Sequence, residues 1–106
     1  MDIPLLTAGE SRVYEALIDL GDSTVGDILK QSKVSHSKIY DVLKRLEDKG
    51  LVSRVTKNGR QVFAPAHPSR LKELVTTERE RITTSEQSIN TITKLLTPRM
   101  NSSTSK

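Results

Sequence analysis

The sequence predicts a mainly α-helical domain that carries one small β-hairpin and runs into a long C-terminal helix. Three observations predict it. Three segments before residue 50 each open at a Thr or Ser and then place apolar residues at helical spacing. Asn58-Gly59 stands between two β-like runs, one from Val52 to Lys57 and one from Arg60 to Phe63. From Pro68 to Leu96 nothing interrupts a helical period.

The first helix is signalled by Thr7-Ala8-Gly9-Glu10. Thr7 can accept from the N–H near position 10 while Glu10 reaches back to the Thr7 N–H, which is a capping box. Val13, Ala16, Leu17 and Leu20 follow at helical spacing, and Gly21 ends the run. A short second helix opens at Thr24 with Asp27 in its first turn, buries Ile28 and Leu29, and ends near Ser32. After a tight connection at 33–35, Ser35 opens the third helix. Its stripe is Ile39, Val42, Leu43 and Leu46, and Gly50 stops it, with Leu51 as the apolar contact that accompanies such a stop. Two helices joined by a turn this short form a helix-turn-helix. Asn58-Gly59 favours a type I′ turn because both residues tolerate positive φ.

Pro68 suits the first position of the last helix. Leu71, Val75, Glu78, Ile82, Ser85, Ile89, Ile92 and Leu96 are separated alternately by four and three residues, a heptad seam with two polar interruptions. A domain of about 65 residues cannot cover a narrow stripe along a helix of that length. A second copy of the chain can, so Leu71, Val75, Ile82, Ile89, Ile92 and Leu96 are assigned to a homodimer contact. The seam leaves open whether the two helices run parallel or antiparallel. The predicted organisation is a domain over 1–66, a dimerisation helix over 67–96 and a disordered polar tail over 97–106.

Composition narrows the function classes. The chain has 106 residues, 34% of them hydrophobic and 3% aromatic, so its apolar side chains must be concentrated on a few faces. It lacks the run of about 18 apolar residues needed to span a bilayer, and it lacks a secretory signal at its N-terminus. It has no cysteine, hence no disulfide and no thiolate metal site. A soluble cytoplasmic protein with no membrane partner is expected. His36 and His67 stand far apart, each without a second ligand at metal spacing, and there is no Gly-rich phosphate loop or nucleophile motif. No catalytic residue, metal or cofactor is expected, and the chain is not read as an enzyme.

Charge points elsewhere. Residues 1–32 carry two basic and six acidic side chains, residues 33–70 nine basic and three acidic, and residues 71–106 six basic and four acidic, within an overall +4. A basic middle third is the footprint of a polyanion partner. With the apolar stripe of the third helix turned inward, Ser37, Asp41, Lys44 and Asp48 face outward, flanked by Lys38, Tyr40 and Arg45. Its first turn, Ser35-His36-Ser37-Lys38, offers short polar groups and a cation where the helix dipole is positive. Such a turn suits base edges in a DNA major groove, and Lys38 can reach a guanine edge or a phosphate. Asp41 is better placed for an ion pair with Lys38, Lys44 or Arg45 than for a cytosine contact. Tyr40 suits packing against helix two or the hairpin, and also a phosphate or base contact. Arg54, Lys57, Asn58 and Arg60 would touch phosphate or the minor groove.

Over residues 6–65 the chain resembles the winged-helix domain of the TrmB-like transcriptional regulators, found mainly in archaea. The segments that carry the likeness are LTAGESRVYEALIDLG, STVGDILKQSKVSHSKIYDVLKRLEDKGLV and SRVTKNGRQVFAP, with SKIYDVLKRLEDKGLV the most telling. The generic pattern is shared with MarR-like proteins. The resemblance implies a dimer on a palindromic operator in nucleoid DNA, with the 36–49 helix in the major groove and the 52–64 hairpin as the wing. Family members usually continue into a C-terminal effector domain. This sequence ends after its long helix, so no small-molecule effector is expected within it. The readings weighed are a sequence-specific regulator of double-stranded DNA, most simply a repressor, an architectural DNA binder of low specificity, and a winged helix used for protein interaction.

Overall fold

The computed structural model describes residues 1–104. Its elements are α1 (Ala8–Leu20), α2 (Val25–Ser32), α3 (His36–Asp48), β1 (Val52–Lys57), β2 (Arg60–Pro65) and α4 (Arg70–Thr104). Two compact units are formed, Met1–Leu74 and a second that begins at Val75.

Local chemistry accounts for the element ends in the first unit. Thr7 Oγ1 accepts from the Glu10 N–H (3.1 Å) and Glu10 Oε1 accepts from the Thr7 N–H (2.9 Å), completing the capping box of α1. Thr24 caps α2 by accepting from the Asp27 N–H. Gly50, at φ +76, lets α3 end in a Schellman motif: the Leu51 N–H reaches the Leu46 carbonyl and the Gly50 N–H reaches that of Glu47, both at 2.9 Å. Leu51 is thereby turned into the core, where it is fully buried. β1 and β2 pair antiparallel with Lys57 opposite Arg60. Asn58 and Gly59 both have positive φ, the requirement of a type I′ turn.

The core joins all these elements. Val13 and Leu17 of α1, Ile28 of α2, Ile39, Leu43 and Leu46 of α3, Leu51 and Phe63 are completely removed from water. Each such side chain contributes about 1.5–3 kcal/mol by burial, and in a unit this small every one is needed. Ile3 and Leu6 pack on one part of this core, and Leu71 and Leu74 of α4 on another. Leu20, expected on the inner face of α1, is instead exposed at the end of the helix.

Three polar links tie distant segments together. The Tyr14 hydroxyl, inside the core, donates to the Ala66 carbonyl at 2.8 Å, and burial pushes its phenol pKa up. Ser23 and Phe63 exchange backbone bonds of 2.9 and 2.8 Å, so the α1–α2 connection adds a one-residue bridge to the edge of β2. Glu10 is 1% exposed, and its carboxylate accepts from Lys49 Nζ at 2.7 Å. Burial pushes the Glu10 carboxyl up. The Lys49 hydrogen bond, the Thr7 N–H and the charges of Lys49 and Arg45 outweigh it, and the group sits below the ordinary glutamate value.

The last helix departs from its expected limits at both ends. Pro68 lies in a turn before it, because Arg70, Leu71 and Lys72 donate to the carbonyls three residues back and the His67 ring accepts the Ser69 N–H at 3.0 Å. Residues 97–104, expected to be an irregular tail, are helical, and residues 105–106 lie outside the described part. Pro98 stands inside this helix and has no N–H to donate, so one bond of the backbone ladder is missing at that point. The Thr97 hydroxyl donates to the Thr93 carbonyl at 2.7 Å across that point.

Candidate nucleic-acid interface

The first turn of α3 presents its side chains to solvent. Ser35, His36, Ser37, Lys38 and Tyr40 are all exposed, while Ile39 between them is fully buried and fixes the rotation of the helix. Ser35 begins the helix through its carbonyl, which accepts from Lys38 and Ile39 at 3.0 and 3.1 Å. Its hydroxyl makes no cap bond and lies 3.3 Å from the Ser37 hydroxyl. Both hydroxyls are therefore held at the surface, ready to bond outward. Lys38 and Lys44 make no ion pair among the described residues.

Tyr40, expected at the edge of the buried stripe, lies outside the core. It is 55% exposed and its ring meets His36 edge-on, with centroids 6.5 Å apart. Spacing of four along one helix brings the two rings together. The pair lies on the exposed face of α3. Asp41 is paired with Arg45 at 2.9 Å, so of the basic partners considered for it the last is the one it takes. Asp48 is exposed at the far end of the helix.

The hairpin holds its cations differently from what the sequence suggests. The Arg54 guanidinium donates through Nε to both Glu47 oxygens, at 3.0 and 2.9 Å, and lies 5.4 Å from the centre of the Phe63 ring. Arg54 thus fastens β1 to α3. Lys57 pairs with Asp22 at 2.6 Å. The Ser23–Phe63 bridge draws Asp22 alongside the hairpin, which is why the contact forms. Asn58 and Arg60 are exposed at the tip, and Arg60 makes no ion pair among the described residues. Glu47 and Asp22 were missed as residues that govern the basic surface. Neither contact has a local signal, since Asp22 and Lys57 lie 35 positions apart.

On α4 the seam residues divide between the two units. Leu71 packs on the core of the first. In the second, Val75, Ile82, Ile89, Ile92 and Leu96 are exposed, together with Leu95 and Met100 outside the seam. Glu78 accepts from Arg81 one turn on.

A helix-turn-helix followed by an antiparallel hairpin that a neighbouring loop bridges is the winged-helix arrangement. The family model described as sugar-specific transcriptional regulator TrmB matches residues 6–69, and the chain belongs to that family. It is 40% identical over 70 residues to the HTH-type sugar sensing transcriptional regulator TrmBL1 of Pyrococcus furiosus, a match covering 66% of this chain and 20% of that protein. Among solved structures it is similar to TrmBL2, described as an archaeal chromatin protein with a novel mode of DNA binding. That match has a TM-score of 0.69 at 25% identity and covers 95% of this chain and 42% of the other. A MarR family protein from Bacillus stearothermophilus shares the fold, with a TM-score of 0.56 at 22% identity over 96% of this chain and 77% of its own. The chain thus spans a fifth of the length of TrmBL1 and less than half that of TrmBL2.

Proposed function

We propose that this chain is a sequence-specific regulator of transcription that binds double-stranded DNA as a homodimer. The observation that carries the reading is the first turn of α3. Two hydroxyls, a histidine and an unpaired lysine stand exposed there on a helix whose other face is locked in the core. In the major groove Ser35, His36, Ser37 and Lys38 would meet base edges, with Tyr40 and Lys44 beside them. Asn58 and Arg60 at the wing tip would meet phosphate or the neighbouring minor groove. The exposed stripe from Val75 to Leu96 would be covered by the same stripe of a second copy. Two-fold symmetry then sets half-sites about 34–36 Å apart, or a multiple of that. Occlusion of a promoter is the simplest action such a dimer can have. The chemistry is that of binding, with no catalytic step.

Similarity to a chromatin protein favours one other reading: a binder that coats DNA with little preference. Selection of bound duplexes from a random pool separates the two. Enrichment of a palindrome is expected, and absence of any enriched sequence would favour the coating role. Lys38→Ala should then narrow the affinity gap between selected and random duplexes, because a base-reading lysine contributes about 1–3 kcal/mol of discrimination. Equal losses on both would remove Lys38 from the reading edge. A protein-interaction module would show no salt-dependent DNA binding at all.

A further inference from the structure

The outer face of α3 borders a cleft of about 590 Å³ that no wing residue lines. Its walls are the first turns of α1, the α2–α3 connection and the exposed side of α3. Four cationic side chains line it, Arg12, Lys33, Lys38 and Arg45, against one carboxylate, Asp41. Asp41 is committed to Arg45. Arg12, Lys33 and Lys38 make no ion pair among the described residues, so three unsatisfied positive charges converge on one concave surface.

Lys33 stands at the α2 end of this cleft. It ends α2 in the left-handed conformation, φ 59 and ψ 22, with its N–H on the Leu29 carbonyl at 3.1 Å. Glycine or asparagine adopts that conformation at least cost, and a lysine there is held against a local penalty of about 1 kcal/mol. Lys33 lines the cleft wall from this position. Charge complementarity then selects an anionic occupant. Ser35 and Lys38 belong both to this cleft and to the proposed reading edge, so an anion seated here is contiguous with whatever α3 reads.

We infer that the cleft seats a backbone phosphate of the DNA duplex read by α3, with Arg12 and Lys33 as the groups that grip it. The inference rests on the DNA-binding reading above. It moves the main sequence-independent hold from the shaft of the wing, where Glu47 and Asp22 occupy Arg54 and Lys57, to the α1 side of the recognition helix. The negative total of residues 1–32 hides this role, because a single arginine and its position on α1 do not stand out in a sum.

The test is the salt dependence of DNA binding by the full chain, followed by fluorescence anisotropy on one selected and one random duplex. The variants are Arg12→Gln, Lys33→Gln and the pair, with Lys94→Gln on α4 as control. Loss of the one phosphate contact in the double variant should flatten the slope of log affinity against log salt by about 0.9, and each single change by a part of that, equally on both duplexes. Thermal stability and the Lys94→Gln slope should stay at the wild-type values. An unchanged slope in the double variant, while wild type binds in a salt-dependent way, would overturn the cleft assignment and leave the DNA reading standing. A loss confined to the selected duplex would overturn it too, since that is base reading. Failure of the wild type to bind either duplex would overturn both.

Discussion

The ion pair between Glu10 and Lys49 should be the most sensitive electrostatic contact in the first unit, and Lys49→Met is the change that exposes it. The methionine keeps the aliphatic stem and removes the charge. Glu10 is left 1% exposed, with the Thr7 N–H at 2.9 Å but without the ammonium at 2.7 Å. Removing one partner of a fully buried pair costs about 3–5 kcal/mol. The Lys49 side chain is 32% exposed, so solvent screens part of the interaction and about 2 kcal/mol is the better figure. For a unit of this size each kcal/mol lowers Tm by roughly 4–8 °C, which gives a fall of roughly 8–16 °C. The effect must also depend on pH. The folded-state pKa of Glu10 lies below its ordinary value, so its stabilisation is fully present above the unfolded pKa and is lost as pH falls through the folded one. In the variant, burial acts on Glu10 without the lysine to oppose it, and the carboxyl takes up its proton more readily. The gap between wild type and variant should therefore be widest near neutrality and close in acid. Melting followed by far-UV circular dichroism, at one protein concentration and across that pH range, measures it. A difference below about 0.5 kcal/mol near neutrality, or one that stays constant into acid, would refute the reasoning.

Three further outcomes are expected. Tyr14→Phe removes the 2.8 Å bond to the partly buried Ala66 carbonyl, and should cost about 1 kcal/mol in urea unfolding with an unchanged m-value. Asp22→Asn frees Lys57 from its 2.6 Å contact and should tighten binding to all duplexes a few-fold, on the order of 0.7 kcal/mol, as read by anisotropy at fixed salt. Ile82→Lys with Ile89→Lys sets like charges along the stripe of α4; sedimentation should find the wild type dimeric and this variant monomeric at the same concentration, and a monomeric wild type would remove the proposed dimer.

The elements were legible because their signals are local. Thr7 and Glu10 are three residues apart and form the capping box that their spacing implies. Ile39, Val42, Leu43 and Leu46 lie on one side of α3 because the helical period puts them there, and all four are buried. Asn58-Gly59 specifies its own turn. Composition misled where it was read without context: residues 97–104 look like a polar tail, yet they extend a helix that was already formed. Tyr40 misled for a related reason. An aromatic beside an apolar stripe looks like a packing residue, but its neighbour at four positions' distance is His36, and the two pair in the open.

The sequence by itself determined the caps, the turn, the inward stripe of α3 and hence which side chains of its first turn face outward. Those follow from interactions within four or five residues, where spacing alone sets the geometry. Only the tertiary structure decided which cations are free. Arg54 meets Glu47 and Phe63, Lys57 meets Asp22, and Lys49 meets Glu10, while Arg12 and Lys33 line one cleft with Lys38. Long side chains at the surface find partners through the packing of whole elements, and a charge count along the chain contains no term for that distance.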